Sequence, residues 1–441
     1  MLSSCALRGK DFCIMFRKLL ASLSSFVVLS LSVAPSFAQS FSVTDLGVVS
    51  GASYSYPNAI NDSGGTIRIV GYTRDSKGNF YHGFYWDSAG GIKDLGVVSP
   101  GTGSNAIAVS SVGEAVGWAS TVSNNANQRS VYRNFGGGGA LTQLPFPALT
   151  YDGTGPIVDG SHVVSSSAGA INESHVVTGT VYRQDLGVFP VYWLQDGSGG
   201  AWQCHYFPQL PGSLLTGSSA GPAINDAGDA AGSVGSPTTE IAGGFRAVFW
   251  QNLGTPAAPS YGTPVDSGLG SEAACAFINS TSVAAGGYGE TGGRFIWTQG
   301  TSPVAFTSAN FNGISDANTS GLTGGTGRFY YTGGASRAFL ADSSGGFLDL
   351  GVLSNGTASQ GNGINSSWQV VGWCAITTKG GQNHAFLWAS GLMKDLNSLT
   401  TGLGAFSYLS NGDRISNNGN IAGEGILQKG GATHACLLRK F

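Results

Sequence analysis

The chain has 441 residues, of which 71 are glycine, while charged residues make up only 10%. Apolar residues at 41% are enough for a large packed core, so the excess of glycine predicts many tight turns rather than disorder. A formal net charge of -3, without a run of basic residues in the body of the chain, excludes the electrostatic footprint of nucleic-acid binding.

The N-terminus has the composition of an export signal. The apolar, serine-rich run Leu19–Val33 follows two basic residues and is too short to span a bilayer, and Ser36–Ala38 has the small-x-small pattern of a cleavage site. We therefore expect residues 1–38 to be a signal peptide, with Met15 as an alternative start. A retained membrane anchor is the less favoured alternative. Residues 39–441 are expected to form one secreted or periplasmic domain without a transmembrane segment.

Four of the six cysteines follow the expected cleavage point, at wide spacings that match no zinc or redox motif. Export permits disulfides, but a core of this size does not require them. We expect buried, apolar cysteines, and only Cys374 and Cys436, which fall in neighbouring repeats, merit a test for a disulfide. The four residues are Cys204, Cys275, Cys374 and Cys436.

One short phrase recurs about every 50 residues, a period typical of propeller blades. It consists of an apolar residue, then asparagine or another polar residue, then a turn in which asparagine and glycine tolerate positive φ. The apolar residue of the phrase is Ile60, Val109, Ile171, Ile224, Ile278, Ile314, Ile364 or Ile415.

Each repeat contains four strand-like pieces. The first ends in the recurring phrase, the second resembles Val370–Trp373, the third is aromatic, as in His384–Trp388, and the fourth carries Asp-Leu-Gly, as at Asp94–Gly96. In the third repeat the fourth piece is assigned to Gln209–Leu210.

The number of pieces predicts how the ring closes. Eight first, second and third pieces follow residue 50, but only seven fourth pieces accompany them, and the missing one stands at the N-terminus as Val43–Gly47. We therefore predict an all-β fold, a β-propeller of eight four-stranded blades whose last blade takes its outer strand from the N-terminus. The short spacing between Ile278 and Ile314 leaves seven or nine blades as alternatives.

The repeats resemble the bacterial extracellular repeats of the HAF family. His384-Ala385-Phe386 matches the phrase that names the family, and His82-Gly83-Phe84 and His434-Ala435-Cys436 depart from it by one residue, while arginine replaces histidine at Arg246 and Arg337. The resemblance implies secretion and a repeat architecture, and it implies no activity. It is strong in the first and last two repeats and fades between them.

The recurring histidines and tryptophans have simple structural interpretations. Equivalent positions in radiating blades lie far apart, so His82, His384 and His434 are expected to bond a neighbouring strand, with arginine as a substitute donor. The tryptophans that share one position are expected to wedge blade against blade, whereas four others stay possible sugar platforms. The wedge set is Trp86, Trp193, Trp250, Trp297 and Trp388, and the platform set is Trp118, Trp202, Trp368 and Trp373.

Other motifs have little specificity. Gly217–Gly221 fits the G-x-S-x-G elbow of hydrolases, but a chain so rich in glycine and serine produces this pattern by chance. Asn225–Asp229 and Asn411–Asp413 are interpreted as acidic turns rather than calcium loops. No residue is assigned a catalytic, cofactor-binding or metal-binding role.

Two function classes stay open. The favoured one is a non-catalytic scaffold that binds a glycan or an extracellular protein through variable loops such as Leu144–Ser167 and Asn252–Ser267. The alternative is a propeller enzyme for polysaccharide or ester substrates, which requires carboxylates, histidines or tyrosines from different blades to converge at the central channel. An outer-membrane barrel is disfavoured because the strand-like pieces are too short to span a bilayer.

Overall fold

Each repeat folds into one antiparallel sheet, because runs of β-branched and aromatic residues alternate with turns that contain glycine or asparagine. The computed structural model describes residues 39–441 except 123–126, 148–162, 185–186, 198, 213–220, 236–243, 271, 289–292, 307–310, 318–323, 331–334 and 378–380. The expected signal peptide, residues 1–38, lies outside the described residues. No described helix is long and apolar enough to cross a membrane.

The first four blades each contain strands that follow one another along the chain. Blade 1 comprises β2 (Tyr54–Asn61), β3 (Arg68–Arg74), β4 (Phe80–Asp87) and β5 (Gly91–Asp94); blade 2 comprises β6 (Ser104–Val109), β7 (Glu114–Ser120), β8 (Gln128–Asn134) and β9 (Thr142–Gln143); blade 3 comprises β10 (Val163–Ile171), β11 (Val177–Arg183), β12 (Gly187–Gln195) and β13 (Trp202–Tyr206); blade 4 comprises β14 (Ala223–Ile224), β15 (Ala230–Gly235), β16 (Phe245–Trp250) and β17 (Val265–Asp266).

The remaining blades follow the same order, except that the last takes β1 (Phe41–Asp45) as its outer strand. Blade 5 comprises β18 (Ala274–Ile278), β19 (Val283–Tyr288), β20 (Gly293–Thr298) and β21 (Val304–Phe306); blade 6 comprises β22 (Phe311–Ala317), β23 (Gly324–Tyr330), β24 (Ser336–Asp342) and β25 (Phe347–Gly351); blade 7 comprises β26 (Gly356–Ile364), β27 (Val370–Ile376), β28 (Asn383–Ala389) and β29 (Leu392–Asp395); blade 8 comprises β30 (Phe406–Ile415), β31 (Ile421–Leu427), β32 (Thr433–Lys440) and β1. A short 3-10 turn covers Ser63–Gly65, and α1 covers Leu396–Leu399.

The described strands therefore form eight blades in a closed ring, which confirms the predicted β-propeller and its blade number. The first strand of each blade is the innermost, because first strands contact the first strands of both neighbouring blades while fourth strands lie at the outer edge. The contacts run from β2 of blade 1 around to β30 of blade 8, and β30 contacts β2 again.

The N-terminal strand closes the ring as predicted. β1 pairs antiparallel with β32, with Phe41 opposite Lys440 and Asp45 opposite Cys436. Just beyond the strand, Leu46 N–H donates to the carbonyl of Ala435 at 3.0 Å. The outer edge of blade 8 is thus covered by a segment from the opposite end of the chain.

The wedge tryptophans fill the spaces between blades, which confirms their predicted role. Trp193 and Trp250 are fully buried. Their indole N–H groups donate across the blade boundary to the carbonyls of Pro145 and Pro208, each at 2.8 Å. Trp86 is likewise buried and packs against Leu437 of blade 8. Each ring supplies apolar area to a core shared by two blades.

The cysteines also follow the sequence prediction. Cys275, Cys374 and Cys436 are buried, Cys204 is half-buried, and none of these four forms a disulfide. Burial raises the pKa of the Cys275 and Cys436 thiols, which keeps both as unreactive thiols.

One strand assignment was wrong. The fourth strand of blade 3 is β13, which precedes Gln209–Leu210. Phe207, only 1% exposed, occupies the place that Leu95 takes in blade 1, since the N–H of each bonds the third strand of its own blade. Phe207 stands where blade 1 has the leucine of Asp-Leu-Gly, so this phrase could not be recognised in the sequence of blade 3.

Candidate functional site

The recurring histidines bond the carboxylate of the fourth strand, as the sequence predicted. Each histidine contacts, through Nδ1, the Asp of the Asp-Leu pair in the fourth strand, and an arginine makes the equivalent contact in blade 4. The distances are 2.7 Å for His82 and Asp94, 2.7 Å for His384 and Asp395, 2.9 Å for His434 and Asp45, and 2.7 Å for Arg246 and Asp266. These contacts tie the third strand to the fourth and leave no reason to assign the histidines to catalysis.

The Asp45 pair makes ring closure sensitive to acid. Burial opposes ionisation of Asp45, but hydrogen bonds from His434 and the Gly47 N–H outweigh it and lower its pKa. A carboxyl with a lowered pKa stabilises the fold above its unfolded pKa, and this contribution is lost as pH falls through the native pKa.

We expect Asp45→Asn to lower Tm at pH 7 and to change it less near pH 2, because acid shifts the wild-type carboxyl toward its protonated form. Circular dichroism melts at both pH values check this. Asp94→Asn, the equivalent change inside blade 1, is the matched control. An equal loss for Asp45→Asn at both pH values would show that ionisation of Asp45 does not stabilise the closure.

The asparagine of the recurring phrase links its blade to the next one in blades 1, 3, 4 and 7. In blade 3, Asn172 Oδ1 accepts from the N–H groups of Ser174 and Val176, and its Nδ2 donates to the carbonyl of Asn225 in blade 4 at 3.0 Å. Asn225 Nδ2 in turn donates to the carbonyl of Asn279 in blade 5 at 2.9 Å. One side chain therefore caps its own turn and fastens the adjacent blade.

Serines on the inner strands form a second link, which the sequence analysis missed. Ser55 Oγ of blade 1 donates to the Gly47 carbonyl at 2.7 Å and accepts from Ala435 N–H at 2.9 Å. Ser359 of blade 7 repeats this arrangement with Gly351 and Ala338 of blade 6. A serine six residues before the recurring asparagine was the available signal.

The two acidic segments have different structures. Asn225–Asp229 is a turn, as predicted, in which Asn225 Oδ1 accepts from Asp229 N–H. Asn411–Asp413 was wrongly interpreted as a turn, since it lies inside β30 on the inner wall. The described residues contain no group of three metal-ligating side chains. The first four residues of the G-x-S-x-G segment lie outside the described part of the chain.

The loops proposed for binding are only partly described. Residues 148–162 of Leu144–Ser167 lie outside the described residues. Asn252–Ser267 forms a small hairpin, in which Tyr261 OH donates to the carbonyl of Gly228 at 2.7 Å and the Tyr261 ring packs against Phe207. This loop is anchored to the side of the blade.

A groove of about 440 Å³ lies between the outer parts of blades 2 and 3. It exists because the fourth strand of blade 2, β9, has only two residues, whereas β13 of blade 3 has five. Trp202 stands at the start of β13 and lines the groove. Of the four predicted sugar platforms, Trp118 is excluded because it is buried, while Trp202, Trp368 and Trp373 keep partly exposed rings.

The described side chains that line the groove are all uncharged. The Trp202 ring lies 4.8 Å from the Tyr132 ring, and Thr142, Gln143 and Gln195 supply a hydroxyl and two amides. Aromatic faces together with neutral donors and acceptors suit a ligand that has both C–H faces and hydroxyl groups.

The buried Glu114 carboxylate orients Tyr132, one of the side chains that line this groove. Tyr132 OH donates to Glu114 Oε1 at 2.7 Å, while Glu114 Oε2 accepts from Ser110 Oγ at 3.0 Å and contacts His175 Nδ1 at 2.6 Å. Glu114 is 3% exposed, and burial together with its charge raises the pKa of Tyr132. The phenol of Tyr132 therefore stays neutral, and its hydrogen bond to Glu114 fixes its orientation.

Carboxylates and tyrosines from two blades do meet at the inner wall, as the enzyme alternative requires. Asp413 and Glu424 of blade 8 act electrostatically on Tyr72 of blade 1, and the Tyr56 and Tyr72 rings stack at 5.1 Å. Asp413 Oδ2, however, is sealed from solvent. A substrate cannot reach this oxygen in the described conformation, so the cluster does not support a catalytic assignment.

Comparisons with known proteins give distant structural similarities and no family. No family model matches the chain, and no curated protein sequence matches it. Among solved structures it resembles the β-propeller domain of the Trilobed protease from Pyrococcus furiosus, with 12% identity over 78% of this chain and 96% of that chain and a TM-score of 0.43.

Two further structures illustrate the range of proteins with this fold. A puromycin-hydrolyzing peptidase from Mycobacterium tuberculosis is 12% identical with a TM-score of 0.42, and the match covers 89% of this chain but only 62% of the peptidase. The SapL1 lectin, solved with alpha methyl fucoside, is 14% identical over 78% of this chain and 97% of the lectin, with a TM-score of 0.32.

Proposed function

We propose that the chain is a secreted, non-catalytic scaffold of the HAF-repeat type that binds a neutral saccharide in the groove between blades 2 and 3. The observation that carries the proposal is the partly exposed Trp202 ring inside a groove whose described lining residues are all uncharged. Export follows from the signal pattern of residues 1–38, and repeat-family membership follows from the His-Ala-Phe phrase at 384–386.

The size and chemistry of the groove support a sugar ligand. Its volume of about 440 Å³ falls within the range of small-molecule sites. An aromatic face packs against the C–H face of a pyranose, while Gln143, Gln195 and Thr142 can exchange hydrogen bonds with its hydroxyls. A charged sugar would find no compensating charge on the lining side chains.

A scaffold is favoured over an enzyme because the described residues that line the groove include no acid, base or nucleophile. Among these described residues the one titratable side chain, Tyr132, is held neutral by burial and Glu114. Glu114 itself is buried behind the phenol and already bonds Ser110 and His175. The groove is therefore equipped to hold a ligand and not to cleave it.

We expect Trp202→Ala to weaken saccharide binding at least about tenfold, because it removes the aromatic face. Residues 39–441 would be incubated with a panel of insoluble neutral polysaccharides, and retained protein and released sugar would both be measured by mass spectrometry. Trp368→Ala is the matched control, since Trp368 is also half-buried at the edge of a core cluster but lies in blade 7.

The outcomes separate the alternatives. Retention of wild type and Trp368→Ala, with loss for Trp202→Ala and an intact polymer, supports the groove as the binding site. Equal retention of all three proteins would place binding elsewhere. Released oligosaccharide would show an enzyme, and failure of every polysaccharide to retain the wild type would contradict the proposal.

A further inference from the structure

The inner strands of blades 1, 2, 3, 5, 7 and 8 share one irregularity, a β-bulge three residues before the polar residue of the recurring phrase. In three of these blades the bulged residue has an amide or carboxyl side chain. The strand register shifts around Asn58 in blade 1, around Asn362 in blade 7 and around Asp413 in blade 8. The bulged residue lies outside the regular pairing, so its side chain is directed by the bulge rather than by the pleat. Asp413 is thus the structural counterpart of two asparagines.

The two asparagines fasten their blade to the next one. Asn362 Nδ2 donates to the side-chain oxygen of Asn411 at 2.7 Å and to the carbonyl of Gly412 at 3.2 Å. Asn58 Nδ2 does the same in blade 2, to Asn105 Oδ1 at 2.7 Å and the carbonyl of Ala106 at 2.8 Å. In each case the backbone acceptor belongs to the residue just before the next blade's register shift.

Asp413 reproduces half of this arrangement. Its Oδ1 accepts from Asn411 Nδ2 at 2.8 Å, as Asn362 Oδ1 accepts from Gln360 Nε2 at 3.0 Å. Its Oδ2 takes the place of the donating amide nitrogen, is buried and has no hydrogen-bond partner. Asn58 and Asn362 each donate to the carbonyl of the residue just before the bulge of the next blade. For Asp413 the equivalent carbonyl is that of Pro57, the residue before Asn58 in blade 1.

An ionised carboxylate cannot donate to a carbonyl, whereas a protonated one can. We propose that Asp413 is an acid-closed latch at the boundary between blades 8 and 1: its protonated Oδ2 donates to the Pro57 carbonyl as an asparagine amide would, and its ionised form releases that link. Blade 8 is the blade completed by the N-terminal strand, so the latch acts on the boundary where the ring is closed.

The groups around Asp413 favour the protonated form. Burial and the neighbouring Glu424 carboxylate raise the pKa of Asp413, and the adjacent Arg414 opposes them. The pKa of Glu424 is raised too, by burial. From β32 the buried Cys436 thiol faces this cluster, and from blade 1 Tyr72 does, and both of these groups are neutral at physiological pH.

The direction of the pH effect follows from linkage. A carboxyl with a raised native pKa stabilises the fold fully below its unfolded pKa, and the contribution is lost as pH rises through the native pKa. The latch therefore strengthens the ring in mild acid and weakens it toward alkaline pH. This effect is opposite in sign to that of Asp45, which acts at lower pH.

The test compares thermal melts from about pH 4.5 to 8.5 for wild type, Asp413→Asn and Asn362→Asp. Asp413→Asn restores the donor that blades 1 and 7 have, so we expect Tm about 2–4 °C above wild type at high pH and a smaller gain in acid. Asn362→Asp installs the same latch at the boundary of blades 7 and 8, so we expect it to lose Tm as pH rises. The His–Asp pairs are unchanged in all three proteins, so differences between variants isolate the bulge position.

Hydrogen exchange locates the effect. The amide exchange rates of β2 and β30 are first corrected for the intrinsic rates at each pH. In wild type the corrected rates should increase between mild acid and high pH, and Asp413→Asn should abolish this increase. Parallel pH profiles for wild type and Asp413→Asn would overturn the proposal. So would a lower Tm for Asp413→Asn at every pH, because it would show that the ionised carboxylate is the stabilising form.

Discussion

Replacement of Phe41 by alanine is expected to lower Tm by more than any other truncation in β1, because Phe41 inserts the N-terminal strand into the core of blade 8. The ring is 1% exposed and belongs to one cluster with Leu396, Phe406 and Leu438. Truncation of a buried phenylalanine costs about 3–5 kcal/mol through lost apolar burial and the cavity left behind.

The position of Phe41 in the closing strand increases the loss of stability expected for Phe41→Ala. Its carbonyl accepts from Thr401 N–H at 3.0 Å, so the same residue joins β1 to the segment after α1. If β1 detaches, the outer edge of β32 loses its partner and presents unpaired backbone groups. Loss of one ring therefore affects the closure of the whole propeller and not only a local cluster.

The matched control is Thr44→Ala in the same strand, because Thr44 is exposed and keeps the same backbone pairing with Leu437. Calorimetric melts together with hydrogen exchange of β32 provide the measurement. We expect a large drop in Tm and faster exchange of β32 for Phe41→Ala, and almost no change for Thr44→Ala. Similar Tm values for both variants would mean that β1 does not hold the ring together.

The blade number and the closure were predictable because each depends on local phrases that recur. Asp-Leu-Gly marks a strand end at Asp45 and Asp94 because the carboxylate accepts from the glycine N–H two residues on, and that glycine has positive φ. A fourth strand without a preceding repeat then required a partner at the other end of the chain. The pairing of β1 with β32 met that requirement.

The groove was not predictable from those phrases. It depends on the difference in length between β9 and β13, and Trp202 precedes the part of the repeat that has a recognisable pattern. The ring of Trp202 was a candidate, but so were those of Trp118 and Trp373, and only the packing of neighbouring blades separates a buried ring from an exposed one. Sequence periodicity specifies positions within a blade and not the fit between blades.

The Asp413 position shows a different limit. The sequence Gly412-Asp413 was interpreted as a turn from composition, since glycine, asparagine and aspartate dominate turns. Ser416 lies three positions after Asp413, as Asn365 lies three positions after Asn362, so alignment of the repeats could have placed Asp413 and Asn362 at one site. The chemical difference between amide and carboxyl becomes significant only when the acceptor in the next blade is known.

The asparagine link between blades leads to the second large effect. Replacement of Asn172 by alanine removes the acceptor for two backbone N–H groups and the donor to the Asn225 carbonyl. Asn172 is 3% exposed, so water cannot easily replace these bonds. An unsatisfied buried polar group costs about 1–3 kcal/mol, and we therefore expect Asn172→Ala to destabilise the protein by at least about 3 kcal/mol.

The chain itself supplies a variant that separates the two roles of Asn172. Ser416 occupies the equivalent position in blade 8, where its Oγ accepts from Asn420 N–H at 3.1 Å and so caps the turn with a shorter side chain. This hydroxyl also donates to the Asp62 carboxylate of blade 1, whereas the equivalent carboxylate in blade 4, Asp226, already accepts from Glu173 N–H. Asn172→Ser should keep this cap and lose the reach to Asn225, which predicts a Tm between those of wild type and Asn172→Ala. If Asn172→Ser has the same Tm as Asn172→Ala, the cap contributes no stability. If it has the same Tm as wild type, the hydrogen bond to the next blade contributes none. An intermediate Tm, with faster hydrogen exchange confined to the turns of blades 3 and 4, would show that a single asparagine both ends a strand and joins two blades.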